Sequence, residues 1–151
     1  MRPTYRALAY LIALGVALQA ASVALGFFTI LHEVEDGGVF ATGYDYESNL
    51  GIMIHRYVGL GLIPLSALVL LVLSFFLRAP GALRWAAAVF GLVVLQIALV
   101  FVAFSVAWGG ALHGFNALAV FLAALWAGRR IGRAAPAREA TRATAAAAQL
   151  R

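Results

Sequence analysis

Residues 51–77 read GIMIHRYVGLGLIPLSALVLLVLSFFL, an apolar run interrupted near its start by a histidine and an arginine. A helix needs about 20 apolar residues to cross a hydrocarbon core about 30 Å thick. The run from Ile52 to Leu77 is therefore long enough to span a membrane. Pro64 lies inside the run and has no backbone N–H to donate, so we expect the helix to kink there and to free the carbonyl of Leu60.

Three further runs of the same character occur along the chain: Ala7–Leu31, Leu83–Val106 and Ala111–Ala127. The composition agrees, since 64% of the 151 residues are hydrophobic and 11% are charged, whereas soluble domains are about half apolar. The first run is too long for the apolar core of a cleaved signal peptide, so we interpret it as a retained helix. The chain has no cysteine, which excludes disulfides, iron–sulfur clusters and thiolate chemistry.

The lengths of the connections predict how the four helices are arranged. Residues 78–81 join helices two and three, a turn at residues 108–110 joins helices three and four, and only the link over residues 32–50 is long. Short links make sequence neighbours antiparallel neighbours in space, so we expect an all-α, up-down-up-down four-helix membrane bundle over residues 1–127. A basic Ala/Arg-rich tail follows over residues 128–151, and it could lie on anionic headgroups or remain loose.

The charged residues predict the orientation of the bundle. All eleven basic residues are arginine, and nine of them flank the same ends of the predicted helices: Arg2, Arg6, Arg78, Arg84, Arg129, Arg130, Arg133, Arg138 and Arg142. The long link carries the acidic residues Glu33, Glu35, Asp36, Asp45 and Glu47. By the positive-inside rule we expect a multi-pass protein of the cell membrane with both termini in the cytoplasm. The arginines then mark topology and do not indicate a nucleic-acid partner.

Two histidines stand at matched positions in this scheme. His55 lies about one turn into helix two and His113 about one turn into helix four, and both helices start from the outer side. Ionisable residues inside a membrane are candidate functional residues. Two neutral imidazoles at equal depth suit the two axial positions of a haem iron. We therefore predict a b-type haem with His55 and His113 as its metal ligands; the alternative is that each histidine only bonds a carbonyl or a headgroup at the interface.

Small residues flank both histidines at a spacing of four. Gly51 and Gly59 flank His55, while Gly109 and Ala117 flank His113. Residues four apart share one helix face. We expect these positions, above all Gly51, Gly59 and Ala117, to let a flat porphyrin approach the backbone.

Several neighbouring residues have two interpretations each. Arg56 could pair with a haem propionate, or extend to the interface and meet the acidic link. Asn116 could orient His113 as a second-shell partner or bond elsewhere within the bundle. His32 could be a third or alternative ligand, contribute to a metal site with Glu35 and Asp36, or cap helix one, where a histidine is favoured by the helix dipole.

A weak internal repeat connects the two halves of the chain. Gln19 near the middle of helix one precedes His55, and Gln96 near the middle of helix three precedes His113. A duplicated helical hairpin would place helices two and four in equivalent positions. The two glutamines could be interhelical hydrogen-bonding groups or contacts for a quinone.

The stretch Ile54-His55-Arg56-Tyr57-Val58-Gly59-Leu60 resembles the His-Arg stretch that opens the second helix of each half of the haem A synthase family. His113 stands where that family has its other ligand, at the start of the fourth helix of a half. The resemblance covers residues 7–127 by layout and a handful of residues by identity. It implies a four-helix half with His55 and His113 as axial haem ligands.

The chain departs from that family at one position. The catalytic half carries a glutamate three residues before the histidine of the His-Arg pair, and this chain has Ile52 there. The resemblance is therefore to the non-catalytic half that binds haem b. We expect an electron-transfer protein or a subunit of a larger redox complex rather than a stand-alone enzyme, with a quinone, an extracytoplasmic redox protein or other membrane subunits as candidate partners. The competing hypotheses are an accessory membrane subunit without a cofactor and a divalent-metal site or carrier.

Overall fold

The computed structural model describes the backbone of residues 1–149 and the side chains of residues 1–131. All regular structure in residues 1–149 is helical, without a β-strand. The helices are α1 (Arg2–Glu35), α2 (Leu50–Tyr57), α3 (Ile63–Phe76), α4 (Ala82–Ser105) and α5 (Ala107–Gln149), and a π-helical segment (Val58–Leu62) joins α2 to α3. The predicted all-α class is confirmed. Most of the expected tail lies beyond the residues whose side chains are described.

Four helical stretches are long and apolar enough to cross a membrane: Arg2–Glu35, Leu50–Phe76, Ala82–Ser105 and Ala107–Ile131. Large apolar side chains cover the outside of the bundle, among them Phe104, which is 86% exposed, and Phe115, which is 75% exposed. Soluble monomers rarely expose large contiguous apolar patches. The outer surface is therefore suited to contact with lipid, as a multi-pass membrane protein requires.

The four spanning helices form a ring around a common interior. Helix α1 packs against α2, α3 and α5, and α4 packs against α3 and α5. The continuous helix α2–α3 and the helix α5 thus occupy opposite corners of the bundle. This is the arrangement expected from short antiparallel connections, and it places the two histidine-bearing helices across the interior from each other.

The connection between α4 and α5 is shorter than the sequence predicts. The turn expected at residues 108–110 is wrong, because α5 begins at Ala107 and one extended residue, Val106, separates the two helices. Gly109 is buried in the first turn of α5, where a Cβ atom would collide with the backbone of Val102 and Ala103. The absence of a side chain at Gly109 therefore allows this close helix–helix approach. The other short turn is as predicted, with Gly81 in the left-handed conformation at φ 79° before α4.

The irregularity expected near Pro64 is present as a widened turn. The backbone is π-helical over Val58–Leu62, and the N–H of Ile63 donates to the carbonyl of Val58. A proline cannot donate to the carbonyl four residues before it. Isolated π turns inside α-helices occur frequently at functional sites, and this one begins three residues after His55.

The two ends of the bundle differ in their interior. We call the end with His55, His113 and the 36–49 loop the histidine end, and the opposite end the arginine end, where Arg130 lies 5.9 Å from the ring centre of Trp126. Toward the arginine end the core is mainly apolar, with Tyr5, Ala9, Ile12, Ala67, Leu70, Ala86, Val89 and Ala124 fully buried. Two serines of α3, Ser66 and Ser74, are buried among them. Toward the histidine end the buried residues include Gln19, Ser22, Asn49 and Asn116. The polar interior is thus concentrated around the histidines.

Candidate functional site

His55 and His113 face each other across the bundle interior. Their ring centroids are 6.2 Å apart, with an angle of 58° between the ring planes. Both residues are half-buried. His55 is in α2 and His113 in α5, at opposite corners of the ring of helices, and each lies near the start of its helix. The structure therefore brings together the two histidines that the sequence singles out, at the same depth from the histidine end.

Each imidazole is tied to a backbone carbonyl of the preceding helix. Nδ1 of His55 lies 3.3 Å from the carbonyl oxygen of Gln19, and Nδ1 of His113 lies 3.0 Å from the carbonyl oxygen of Gln96. A carbonyl oxygen can only accept, so Nδ1 of each ring is the donor and carries the proton. Nε2 then keeps its lone pair, which is the arrangement in which a histidine binds a metal while its other nitrogen is held by a second-shell group.

The two glutamines noted in the sequence repeat supply these carbonyls. Gln19 in α1 contacts His55, and Gln96 in α4 contacts His113, so the two helical hairpins make equivalent contacts. The sequence does not reveal that each imidazole is hydrogen-bonded to the backbone oxygen of the glutamine and not to its side-chain amide. Equivalent contacts in both hairpins are what a duplicated helical hairpin would produce.

Both polar atoms of the Gln96 side chain have hydrogen-bond partners. Its Nε2 donates to the carbonyl of His113 at 3.0 Å, and its Oε1 accepts from Nδ2 of Asn116 at 2.6 Å. Asn116 also donates to the carbonyl of Leu92 at 2.9 Å. Neither hydrogen bond of Asn116 therefore goes to the imidazole of His113. It fixes Gln96, which contacts His113 through both its side chain and its backbone.

The side chain of Gln19 has no such partners. It is 8% exposed, and neither Oε1 nor Nε2 has a hydrogen-bond partner among the described residues. A Cβ atom at Gly59 would lie 3.4 Å from Oε1 of Gln19. The position equivalent to Asn116 in this hairpin, three residues after the histidine, is Val58, which cannot hydrogen-bond through its side chain. The two hairpins are thus equivalent at the imidazoles and different one turn away.

The small residues near the histidines have different surroundings. A Cβ atom at Gly51 would collide with the backbone of Ser22 and Gly26 in α1. Gly51 therefore allows close packing of α2 on α1, and its place beside a porphyrin stays a prediction. Gly59 and Ala117 are both half-buried, and the Cβ position of Gly59 lies against the Gln19 amide.

Arg56 lies at the rim of the histidine end. Its Nη1 donates to Oε1 of Glu47 at 2.8 Å, and both side chains are more than half exposed. The contact with the acidic link is therefore present. An exposed ion pair of this kind contributes little to stability, and the remaining guanidinium donors leave Arg56 able to meet a second anionic group.

His32 is separate from the histidine pair. Its Nδ1 is 3.3 Å from Oε2 of Glu35 and its side chain is 76% exposed, in the last turn of α1, where the helix dipole favours a cationic side chain. No group of three or more His, Cys, Asp or Glu side chains in the described part of the chain could hold a metal ion. A groove of about 390 Å³ lies nearby beneath the 36–49 loop, lined by Glu33, Asp36 and Phe40 among others.

Asn49 is a structural residue of the site that our sequence analysis did not single out. It is 1% exposed, and its Oδ1 caps α2 by accepting from the N–H of Ile52. Its Nδ2 donates to the carbonyl of Gly26 in α1 at 3.0 Å. An asparagine immediately before an apolar helix is a recognisable N-cap signal. Asn49 fixes where α2 begins, and hence the depth of His55.

The geometry of the histidine pair fits a metal held from two opposite sides. Two imidazoles that bind one metal in this way, at metal–nitrogen distances of about 2 Å, hold their ring centres roughly 6 Å apart, close to the 6.2 Å observed. A bare ion would require further protein ligands, whereas a haem iron requires only the two axial ones. Comparison of the chain with family models, curated proteins and solved structures finds no match.

Proposed function

We propose that the chain is a b-type membrane cytochrome that holds one haem between α2 and α5, with His55 and His113 as the axial ligands. The single observation that supports this most is the imidazole pair itself, 6.2 Å apart with both Nδ1 atoms tied to backbone carbonyls. Those contacts select the tautomer in which Nε2 is free to bind iron.

The surrounding residues would have distinct roles toward that group. Asn116 and Gln96 hold His113 in position through their hydrogen bonds. Gly59, one turn after His55, would border the haem, and Ala117 is the equivalent residue one turn after His113. Arg56, at the rim, is placed to meet a carboxylate at the edge of the haem in addition to Glu47. Bound haem supplies reversible one-electron transfer.

We further propose an orientation of the bundle in the membrane and a class of protein. With the arginine end in the cytoplasm, as the positive-inside rule favours, the histidine pair lies near the outer face of the cell membrane. The resemblance to the haem b-binding half of the haem A synthase family agrees with a haem there. Ile52 replaces the glutamate of the catalytic half, so we propose an electron-transfer protein or redox-complex subunit.

A visible spectrum of protein purified from haem-replete cells tests the proposal. The wild type is expected to show a Soret band and a low-spin, six-coordinate spectrum. His55→Ala and His113→Ala each remove one axial ligand, so each should give a high-spin spectrum or lose haem. His32→Ala is the matched control, because His32 is exposed and paired with Glu35, and its spectrum should equal that of the wild type.

Two results would refute this assignment. Wild-type protein without Soret absorption would leave an accessory membrane subunit, in which the polar residues only hold the helices together, as the better account. If a low-spin spectrum persists in His113→Ala but is lost in a His32→Ala/His113→Ala double variant, the second iron ligand is His32 and not His113.

A further inference from the structure

The groove of about 390 Å³ at the histidine end lies between the last turns of α1 and the 36–49 loop. Its lining is mostly apolar and includes Val39 and Phe40 of the loop. The side chain of Val39 is 82% exposed. Glu33 and Asp36 also line the groove, whereas neither histidine of the pair does. The groove is therefore an apolar surface that carries two carboxylates and is separate from the haem ligands.

The groove lies beyond the level at which α2 begins. Gly26 of α1 packs against the start of α2, at Asn49 and Ile52. From there α1 continues for nine residues to Glu35, a rise of about 14 Å. All five carboxylates whose side chains the structure describes lie on this projecting part or on the loop that follows it. Charged groups are costly in the hydrocarbon core, so the groove opens outside that core, and lipid chains do not explain its apolar lining.

Hydrogen bonds hold the loop in place as one wall of the groove. The hydroxyl of Tyr44 donates to Oε2 of Glu33 at 2.8 Å and accepts from Nδ2 of Asn49 at 3.3 Å. The N–H of Gly38 donates to the carbonyl of Glu33 at 2.8 Å. The ring of Phe40 packs on the ring of Tyr44, with the two centroids 5.0 Å apart. The groove is thus preformed, and a partner that binds there does not have to order the loop.

The distribution of charge indicates which kind of partner fits the groove. The chain has a net charge of +5, yet residues 33–47 hold five carboxylates and all eleven arginines lie outside this segment. Among the described residues, only Glu47 of these five pairs with an arginine, Arg56. Surfaces of opposite charge steer two proteins together, and exposed apolar patches mark interaction sites. A cationic protein surface is therefore attracted to this end of the bundle, and anionic lipid headgroups are repelled.

We infer that the groove docks a soluble extracytoplasmic redox protein whose lysine-rich face presents an apolar patch at its centre. The apolar patch packs against Val39 and Phe40, and the surrounding ammonium groups meet the carboxylates. Tyr44 in the groove wall is bonded to Asn49, which caps the helix that carries His55, so the docked protein lies at the haem end of the bundle. The inference rests on the proposed function for its compartment and purpose: one electron passes between the redox centre of the partner and the haem iron, and one is oxidised as the other is reduced.

Binding of a cationic probe to the detergent-purified full-length protein tests the groove. The probe is a small c-type cytochrome with lysines around its exposed haem edge, and its control is the same cytochrome with acetylated lysines, which lack the positive charge. Biolayer interferometry measures the Kd from the bound mass. We expect the first form to bind and the acetylated form not to bind. Raising the salt from about 0.01 to about 0.15 M shortens the Debye length from about 30 to about 8 Å, so the Kd should rise about tenfold.

Substitutions at exposed positions separate the groove from the overall charge of the loop. Asp36→Asn removes a groove carboxylate, so the Kd should rise about fivefold and depend less on salt. Val39→Ser removes an apolar contact, so the Kd should also rise about fivefold, with the salt dependence unchanged. Asp45→Asn is the matched control, because Asp45 is an exposed carboxylate of the same loop that does not line the groove. Its Kd should stay within about twofold of the wild-type value.

Four results would overturn the inference: no binding to the wild type, equal binding of the acetylated cytochrome, a Kd unchanged in both Asp36→Asn and Val39→Ser, or an equal effect of Asp36→Asn and Asp45→Asn. The last result would assign binding to the net charge of the loop and not to the groove. The bound mass does not depend on the absorbance of this chain. A missing Soret band therefore refutes the haem alone, and the Kd values decide the groove.

Discussion

Replacement of Asn116 by alanine isolates the support of one haem ligand from the ligand itself. Asn116 is 6% exposed, and its Nδ2 makes two hydrogen bonds, to the carbonyl of Leu92 and to Oε1 of Gln96. Asn116→Ala removes both while leaving His113 in place. The Gln96 side chain then loses its fixed orientation, which weakens its bond to the His113 carbonyl, while the backbone oxygen of Gln96 still accepts from the imidazole.

The size of the effect follows from these bonds. Side-chain hydrogen bonds between membrane helices contribute about 0.6 kcal/mol on average and up to about 1.7 kcal/mol. Two of them therefore amount to about 1–2 kcal/mol, or roughly a tenfold change in an equilibrium constant. Loss of a direct second-shell partner lowers metal affinity about 10–100-fold. Because Asn116 acts through Gln96, we expect the lower limit, a haem Kd raised about tenfold.

Titration of haem into the apoprotein, followed at the Soret band, measures this Kd. The spectrum of saturated Asn116→Ala should remain low-spin, since both imidazoles are present. Ser74→Ala is the control: Ser74 is buried and donates to the carbonyl of Leu71, so its loss costs about 1 kcal/mol of stability, but it lies in the last turn of α3, toward the arginine end and away from both histidines. A haem affinity reduced equally in both variants, or unchanged in Asn116→Ala, would refute the role of the network.

Three further outcomes are expected. Gly59→Leu should abolish haem retention, because the new side chain would occupy the helix face beside His55 and the Gln19 amide. Gly61→Leu should retain haem, because its Cβ position has no neighbouring residue within 4 Å. Full haem content in Gly59→Leu would show that the face with Gly59 is not the haem-binding face. A reporter fused after Arg151 should be active only in the cytoplasm, and activity only outside would reverse the orientation. Tyr5→Phe removes the buried hydrogen bond from the Tyr5 hydroxyl to the carbonyl of Ala82, so it should lower the free energy of unfolding by about 1 kcal/mol and leave the Soret band unchanged. A lost Soret band would show that haem binding depends on the arginine end as well as on the histidine end.

Much of the fold is readable from the sequence because the membrane imposes simple requirements. A helix must be apolar over about 20 residues, so the four runs appear directly, and short links force antiparallel neighbours. The depth of His55 and His113 follows from residue counting along helices of fixed rise. Even the irregularity before Pro64 is expected, because proline lacks the N–H that would complete the helix.

The contacts around the histidines depend on which helix faces meet, and only the tertiary structure decides that. Spacing shows that Gly51 and Gly59 share a face with His55, yet Gly51 packs on the backbone of α1 and Gly59 lies against the Gln19 amide. The repeat of Gln19 and Gln96 is visible in the sequence, but a backbone oxygen can be offered by any residue, so its use as the imidazole acceptor is not. The two side-chain amides differ because Val58 stands where the other hairpin has Asn116, a difference that the sequence contains. That Asn116 meets Gln96 at all is decided by the packing of α5 against α4.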